Sequence, residues 1–434
     1  MAIQGHRSQT SETNGRTTGG PAPQPAQQLW LRTLAALAIL IVLTCVATQV
    51  ARAETFNVLY SFTGQKDGAN PYAGLTIDAG GNLYGTTAYG GAYGYGAVFE
   101  LRHSGSSYIM MTLYSFKGGT DGAQPRSRVV IGPGGALYGT TFNGGGTGCG
   151  GPGCGTVFTL SAPIWREAVL YRFTGGTDGG LPLGDLVFDS QASIYGATQQ
   201  GGVPHSCGNI GCGVVFKLQH LTFNWSESPI YQFIGVSDGI IPNGGVIFDH
   251  SGNLYGTTLI GGSENFGTVF QLTHSGSGWK KTILYIFQNL LDGSQPDAGL
   301  IFDSSGNLYG STILGGTGLG GTIFELKPSG GGWTYNLVYA LTGEAGPLGA
   351  DLAIDAAGNL QGTTLQDGSY VLGSGFKLTP SQGSWTYTSL HDFTGGNDGQ
   401  LPQSNLVFDS SGNMYGTSSY GGENGDGVIF QITP

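Results

Sequence analysis

GVIFDHSGNLYGTTLIGGSENFGTVFQL, residues Gly245–Leu272, reads as three short strands joined by two glycine-rich turns. Val246-Ile247-Phe248 is continuously apolar, as a strand buried on both faces should be, while Leu254 to Thr258 and Thr268 to Leu272 alternate. Gly256 falls inside the second strand, where a neighbouring sheet would need room. The stretch decides the fold because the chain writes it again and again. AGLTIDAGGNLYGTT begins at Ala73, AGLIFDSSGNLYGST at Ala298 and SNLVFDSSGNMYGTS at Ser404.

A fourth strand, Thr282 to Phe287, completes the unit and ends in the pair Tyr285/Phe287. This last motif sets the period. FNVLYSF at 56–62 returns with its final residue at Phe116, Phe173, Phe233, Phe287, Leu341 and Phe393, giving seven copies 52 to 60 residues apart. No stretch after residue 54 sustains a 3.6-residue apolar period, so the fold is all-β. A period near 50 with four strands per unit indicates a seven-bladed β-propeller of four-stranded blades. The chain opens on the fourth-strand motif and ends, at Ile429 to Ile432, on a third strand. Its last blade therefore lacks a strand, and Phe56–Phe62 supplies it, so the N-terminal strand closes the ring and no sheet edge stays open. A superhelical β-solenoid would need capping repeats, and the sequence shows none.

Composition agrees. Glycine accounts for 82 of 434 residues, which calls for frequent tight turns, and 39% hydrophobic with 11% aromatic residues is enough for a buried core. Charged residues make up only 10%, with a net charge of −11 that becomes −14 for residues 54–434. An acidic, sparsely charged surface argues against nucleic acid and anionic lipid as partners. Residues 1–28 form a polar extension. Arg32 precedes the apolar run Leu34 to Ala47, too short to span a bilayer but suited to a signal-peptide core. Ala51-Arg52-Ala53 offers the cleavage pattern, so the mature chain would begin at Glu54, outside the cytoplasm: secreted, periplasmic or at the cell surface. An uncleaved membrane anchor is the alternative. Residues 1–53 and 54–434 are thus the two parts of the chain.

The unit GLIFDSSGNLYGTT…GG…GTVFEL…W…LYSF resembles the GloVer tandem repeat of "choice-of-anchor" bacterial proteins, over essentially residues 56–434. The resemblance implies a secreted or surface-displayed β protein and brings no activity with it.

Two turn types share one face of the disc, here called the top. The first is Asp-Gly-x-x-Pro, in which Asp67, Asp121, Asp178, Asp238, Asp292 and Asp398 ring that face. These aspartates are candidate binding residues for Ca²⁺, an amine or a sugar, and Asp-Gly is also ordinary turn chemistry. The sixth repeat, LTGEAGPLGADL, lacks the motif. The second turn type joins the second and third strands. It is lengthened only in the second and third repeats, where it holds Cys149, Cys154, Cys207 and Cys212. Outside the cytoplasm these read as disulfides, within each loop or across neighbouring blades, with a Cys₄ zinc site as a further alternative.

Asp249-His250-Ser251-Gly252-Asn253 and its relatives turn on the opposite face and read as structural. His391 and Gln361 each replace a repeated Tyr. No GxSxG, HExxH, Walker or dinucleotide motif is present, so no catalytic residue is assigned. The inner strands are of Val-Ile-Phe type, with Asp78, Asp189, Asp249, Asp303, Asp355 and Asp409 only at their exits. The expectation is a binding module for a protein or glycan at the top face, without a cofactor unless Ca²⁺. A hydrolase or lactonase-like enzyme with a metal in the central channel, and a purely architectural surface protein, are the alternatives.

Overall fold

The strand-forming residues assemble as the period demands. A computed structural model describes residues 54–434 apart from 106, 277, 289 and 290, and contains seven antiparallel sheets. The polar extension, the signal segment and the cleavage site lie outside the described residues. Among the described residues no helix is long and apolar enough to cross a membrane.

In the fourth blade the strands run Val246–Phe248, Leu254–Thr258, Thr268–Ser275 and Gly278–Ile286, each paired to the next in sequence. The third blade adds a short strand, Gly180–Pro182, beside Ile194–Gln200. The seventh blade is built from both ends of the chain: Thr55–Ser61 pairs with Val428–Thr433, joining Thr55 to Thr433 and Ser61 to Val428. Ring closure by the N-terminal strand is therefore as the sequence requires.

One expectation needs adjusting. Val246 is buried, but Ile247 and Phe248 are only half-buried. The innermost strands are two or three residues long and stand at the ends of their sheets, with a strand partner on one edge only. The fully buried strand is the second, Leu254–Thr258.

Packing between blades is aromatic. The twelve largest fully buried side chains are all phenylalanines, from two places in the repeat. Seven come from third strands, and each lies against the glycine of its own second strand. A Cβ on Gly256 would stand 2.7 Å from Phe270 Cζ and 2.9 Å from the Gly245 carbonyl oxygen, so no side chain fits there. The others end the fourth strand of the preceding blade. Phe62 meets Phe99, Phe116 meets Phe158, Phe233 meets Phe270 and Phe287 meets Phe324, edge to face, with centroids 5.0–5.4 Å apart. At the seam between the fifth and sixth blades Leu341 takes the place of the phenylalanine and packs in one cluster with Phe376.

Phe287→Ala should remove one such pair and leave a cavity between the fourth and fifth blades. The expected cost is about 3–5 kcal/mol, measured by denaturant titration. A loss below 1 kcal/mol would show that the interblade pair does not carry the ring.

Candidate functional site: the mouth of the central channel

In each blade the chain enters the innermost strand through a short segment ending in a buried aliphatic residue, such as Leu75, Val129 or Leu186. In an extended segment alternate residues face the same way, so the residues one and three places before it point alike. The upper positions are Tyr72, Arg126 and Leu183 in the first three blades, then Asn243, Asp297, Gly349 and Gln403. All seven line one cavity of about 480 Å³ on the top face, together with Leu259, Gln295, Ile313 and Leu348. Every blade thus contributes the same register position to the mouth of the channel.

Below it lies a constriction of about 40 Å³, lined by the lower positions Gly74, Arg128, Asp185, Asp351 and Asn405 among others. Glycine at the remaining places makes the narrowing possible. A Cβ on Gly74 would fall 1.4 Å from Asn405 Oδ1, and one on Gly299 would fall 2.7 Å from Asp351 Oδ1. The polar side chain of one blade occupies the space that its neighbour's glycine leaves open.

The constriction is a charge cluster. The Arg128 backbone N–H donates to Asp185 Oδ1 at 3.0 Å and its Nε donates to Asp185 Oδ2 at 2.7 Å. The two side chains remain 28% and 20% accessible, but that surface is channel wall, enclosed by protein. Asp351 Oδ1 accepts the Gly299 N–H at 2.6 Å. Burial, with Asp185 nearby, pushes the Asp351 carboxyl up to about 7, while Arg128 and the Gly299 N–H pull the other way. In the mouth, Asn243 Nδ2 donates to Asp297 Oδ1 at 2.5 Å, and burial raises the Asp297 carboxyl, opposed by its hydrogen bonds. Asn243 is 7% exposed and its Oδ1 is buried without a hydrogen-bond partner.

The channel corrects the picture of an axis lined only by Val-Ile-Phe strands, with carboxylates at their exits. Asp185, Asp297 and Asp351 sit at the strand entries, on the top side. Among the described residues, no group of three or more His, Cys, Asp or Glu side chains is placed to hold a metal ion.

The six turn aspartates are engaged locally. Asp67 accepts from the Tyr60 hydroxyl at 3.0 Å, the Thr63 N–H at 2.8 Å and the Thr63 hydroxyl at 2.5 Å. Asp178 repeats all three contacts with Tyr171 and Thr174. Asp121, Asp238 and Asp292 each accept from a tyrosine seven residues earlier and a backbone N–H four residues earlier. Asp398 accepts from Thr394 and pairs with His391 Nε2 at 3.0 Å, so His391 replaces the tyrosine by making the same contact. Gln361 does likewise, donating to Asp355 Oδ2 at 3.1 Å.

On the opposite face, Asp249 accepts from the backbone N–H groups of Ser251 and Asn253 and from the side chains of Asn253 and Tyr255. Burial alone would raise its carboxyl, but these donors hold it below the usual carboxylate range.

The cysteines form two loop-internal disulfides, Cys149–Cys154 and Cys207–Cys212, with Cα atoms 5.2 and 5.3 Å apart. The first packs against the next blade's Asp-Gly turn, where a Cβ on Gly175 would touch both sulfurs. The second borders a separate cavity of about 220 Å³ with Ile240, Ile241 and Ile260. Neither loop lines the channel mouth.

Matches to the model of the Gloeobacter/Verrucomicrobia repeat cover residues 46–210, 109–301, 152–347 and 277–434, so they run through the whole propeller. The chain belongs to the Gloeobacter/Verrucomicrobia repeat family. No curated protein sequence matches it. Among solved structures, the chain is similar to a protein proposed to be a 6-phosphogluconolactonase from Bacteroides uniformis. The identity is 14% and the TM-score 0.51, over 77% of this chain and 88% of that one. The periplasmic gluconolactonase of Pseudomonas aeruginosa matches at 15% identity and TM-score 0.50, over 81% of this chain and 95% of that one. The extracellular domain of a proposed hybrid two-component system from B. thetaiotaomicron matches at 13% and TM-score 0.51, over 88% of this chain but 41% of that one. At these identities the likeness is one of fold alone. In this Gloeobacter/Verrucomicrobia repeat array, the site must be read from the positions where the repeats differ.

The Asp351 carboxyl provides a test of the channel's electrostatics. Its native value of about 7 lies above the ordinary 3.8, so stability is lost as the pH rises between those limits. Asp351→Asn should melt with the parent at pH 4 and above it at pH 8, on the order of 2 °C for each kcal/mol recovered. Parallel melting curves across that range would show that the carboxyl is not held neutral by its surroundings.

Proposed function

We propose that the protein is an exported binding module that takes a glycan in the mouth of its central channel. The observation that carries this reading is the convergence of one register position from all seven blades on a single cavity of about 480 Å³. The mouth mixes amide, carboxyl and guanidinium groups with the aliphatic faces of Leu183, Leu259, Ile313 and Leu348. Such a mixture suits a polyhydroxylated ligand, whose hydroxyls need donors and acceptors and whose C–H faces need apolar cover. The unpaired Asn243 Oδ1 is an acceptor that a ligand hydroxyl would satisfy. Export is supported by the two disulfides, which belong to oxidising compartments, and by the periplasmic and extracellular origin of two proteins of similar fold.

One observation favours a second reading, a hydrolase or lactonase-like reaction at the axis. The Asp351 carboxyl, pushed up to about 7, would exchange a proton near neutral pH. It sits at the constriction, below the mouth, where only about 40 Å³ is free. A sugar ring does not fit there, and binding is the better-supported function.

Leu183→Trp should plug the mouth without touching the core. On a glycan array, residues 54–434 should retain at least one class of oligosaccharide, and the Trp variant should lose it more than tenfold with an unchanged melting temperature. Retention of the same glycans by the plugged variant would remove the mouth as the site.

A further inference from the structure

The charge left over at the mouth defines the kind of glycan. Arg126 and Arg128 stand two residues apart and face the axis together, but their surroundings differ. Arg128 is neutralised by Asp185 at 2.7 Å. Arg126 has no carboxylate within 4 Å among the described residues. Its Nη2 makes only two long contacts, of 3.4 Å each, to the Tyr89 hydroxyl and Gln124 Oε1, and its Nε is buried without a partner. The guanidinium is held in place by rings instead, with its central carbon 4.7 Å from the Phe142 centroid and 5.6 Å from that of Tyr72. Tyr72 is fixed in turn by a 2.7 Å hydrogen bond to Tyr420. A cation positioned by aromatic faces and left without a counter-ion keeps its hydrogen-bonding capacity for something else.

We propose that the mouth recognises an acidic glycan, a uronic-acid-containing saccharide whose carboxylate pairs with Arg126 while its hydroxyls meet Asn243 and Gln403. The inference rests on the glycan-binding reading and names the ligand class for that same site. The planar guanidinium matches a carboxylate in two parallel, charge-assisted hydrogen bonds, stronger than those it makes to the neutral hydroxyls of a sugar. Residues 54–434 as a whole carry a formal charge of −14 and repel anions, so selection falls to this one contact. Added salt screens that long-range repulsion while leaving the enclosed ion pair largely intact.

The test is calorimetry of residues 54–434 with oligogalacturonate and oligoglucuronate, and with the same chains after reduction of their carboxyls to alcohols. Wild type should prefer the acidic chains at least tenfold. Arg126→Gln should abolish that preference, and Arg126→Lys should keep part of it, since the charge stays but the planar fork is lost. Melting curves confirm that both variants fold. Equal affinity for acidic and reduced chains, or a preference that survives in Arg126→Gln, overturns the inference. If neutral glycans bind and are blocked by Leu183→Trp, the mouth remains a glycan site and only the acidic specificity fails. If no glycan of either kind binds, the glycan reading falls and the acidic specificity falls with it.

Discussion

The ring depends on the contact between a glycine in each second strand and a phenylalanine in each third. Gly256 leaves room for the Phe270 ring, and a Cβ would stand 2.7 Å from Cζ. Phe270 in turn receives the edge of Phe233 from the preceding blade. One missing methyl group therefore sets the position of an aromatic pair, and the aromatic pair sets the spacing of two blades. Six of the seven interblade seams use this arrangement, from Phe62–Phe99 through Phe393–Phe430. The seventh substitutes Leu341 for the donor ring.

Because these contacts consume the regular part of the repeat, specific chemistry has to come from positions the core does not use. The entries to the innermost strands are such positions. They face the axis, where a blade touches no neighbour's core, and their identities vary freely: Tyr, Arg, Leu, Asn, Asp, Gly and Gln in the upper ring. The turns, by contrast, keep the same residues from blade to blade because their carboxylates hold the backbone. Exceptions are the sixth repeat, which has no Asp-Gly, and Gly132, which stands where the opposite turn has its aspartate; where only the tyrosine partner is replaced, His391 and Gln361 make an equivalent bond.

Strand order, blade number and ring closure were all legible in the sequence, since each follows from a short motif read at a fixed spacing. The channel was harder to see. Residues such as Arg126, Asn243 and Asp297 lie more than 50 positions apart and form no local motif, and their neighbours in sequence are unremarkable. A signal was nonetheless present: three places before the buried aliphatic residue, an otherwise uniform unit has seven different residues. The departures that drew attention in the sequence had mixed outcomes. The cysteine loops turned out to brace the top face away from the axis. The sixth repeat, lacking Asp-Gly, brings Leu348 and Gly349 to the mouth and Asp351 to the constriction below it.

The pairing of Thr55–Ser61 with Val428–Thr433 has a consequence for the life of the chain. Six blades draw all their strands from contiguous sequence and can form as each segment becomes available, but the seventh needs both ends at once. Closing so long a loop is not expensive, since each doubling of length adds only ~0.6 kcal/mol. What it imposes is an order of events. A chain cut short before Val428 lacks the strand that Thr55–Ser61 pairs with in this ring. Without it the strand edge of Thr55–Ser61 has no partner, and unpaired edges are where chains associate wrongly. The topology thus makes closure of the ring wait for the strand Val428–Thr433.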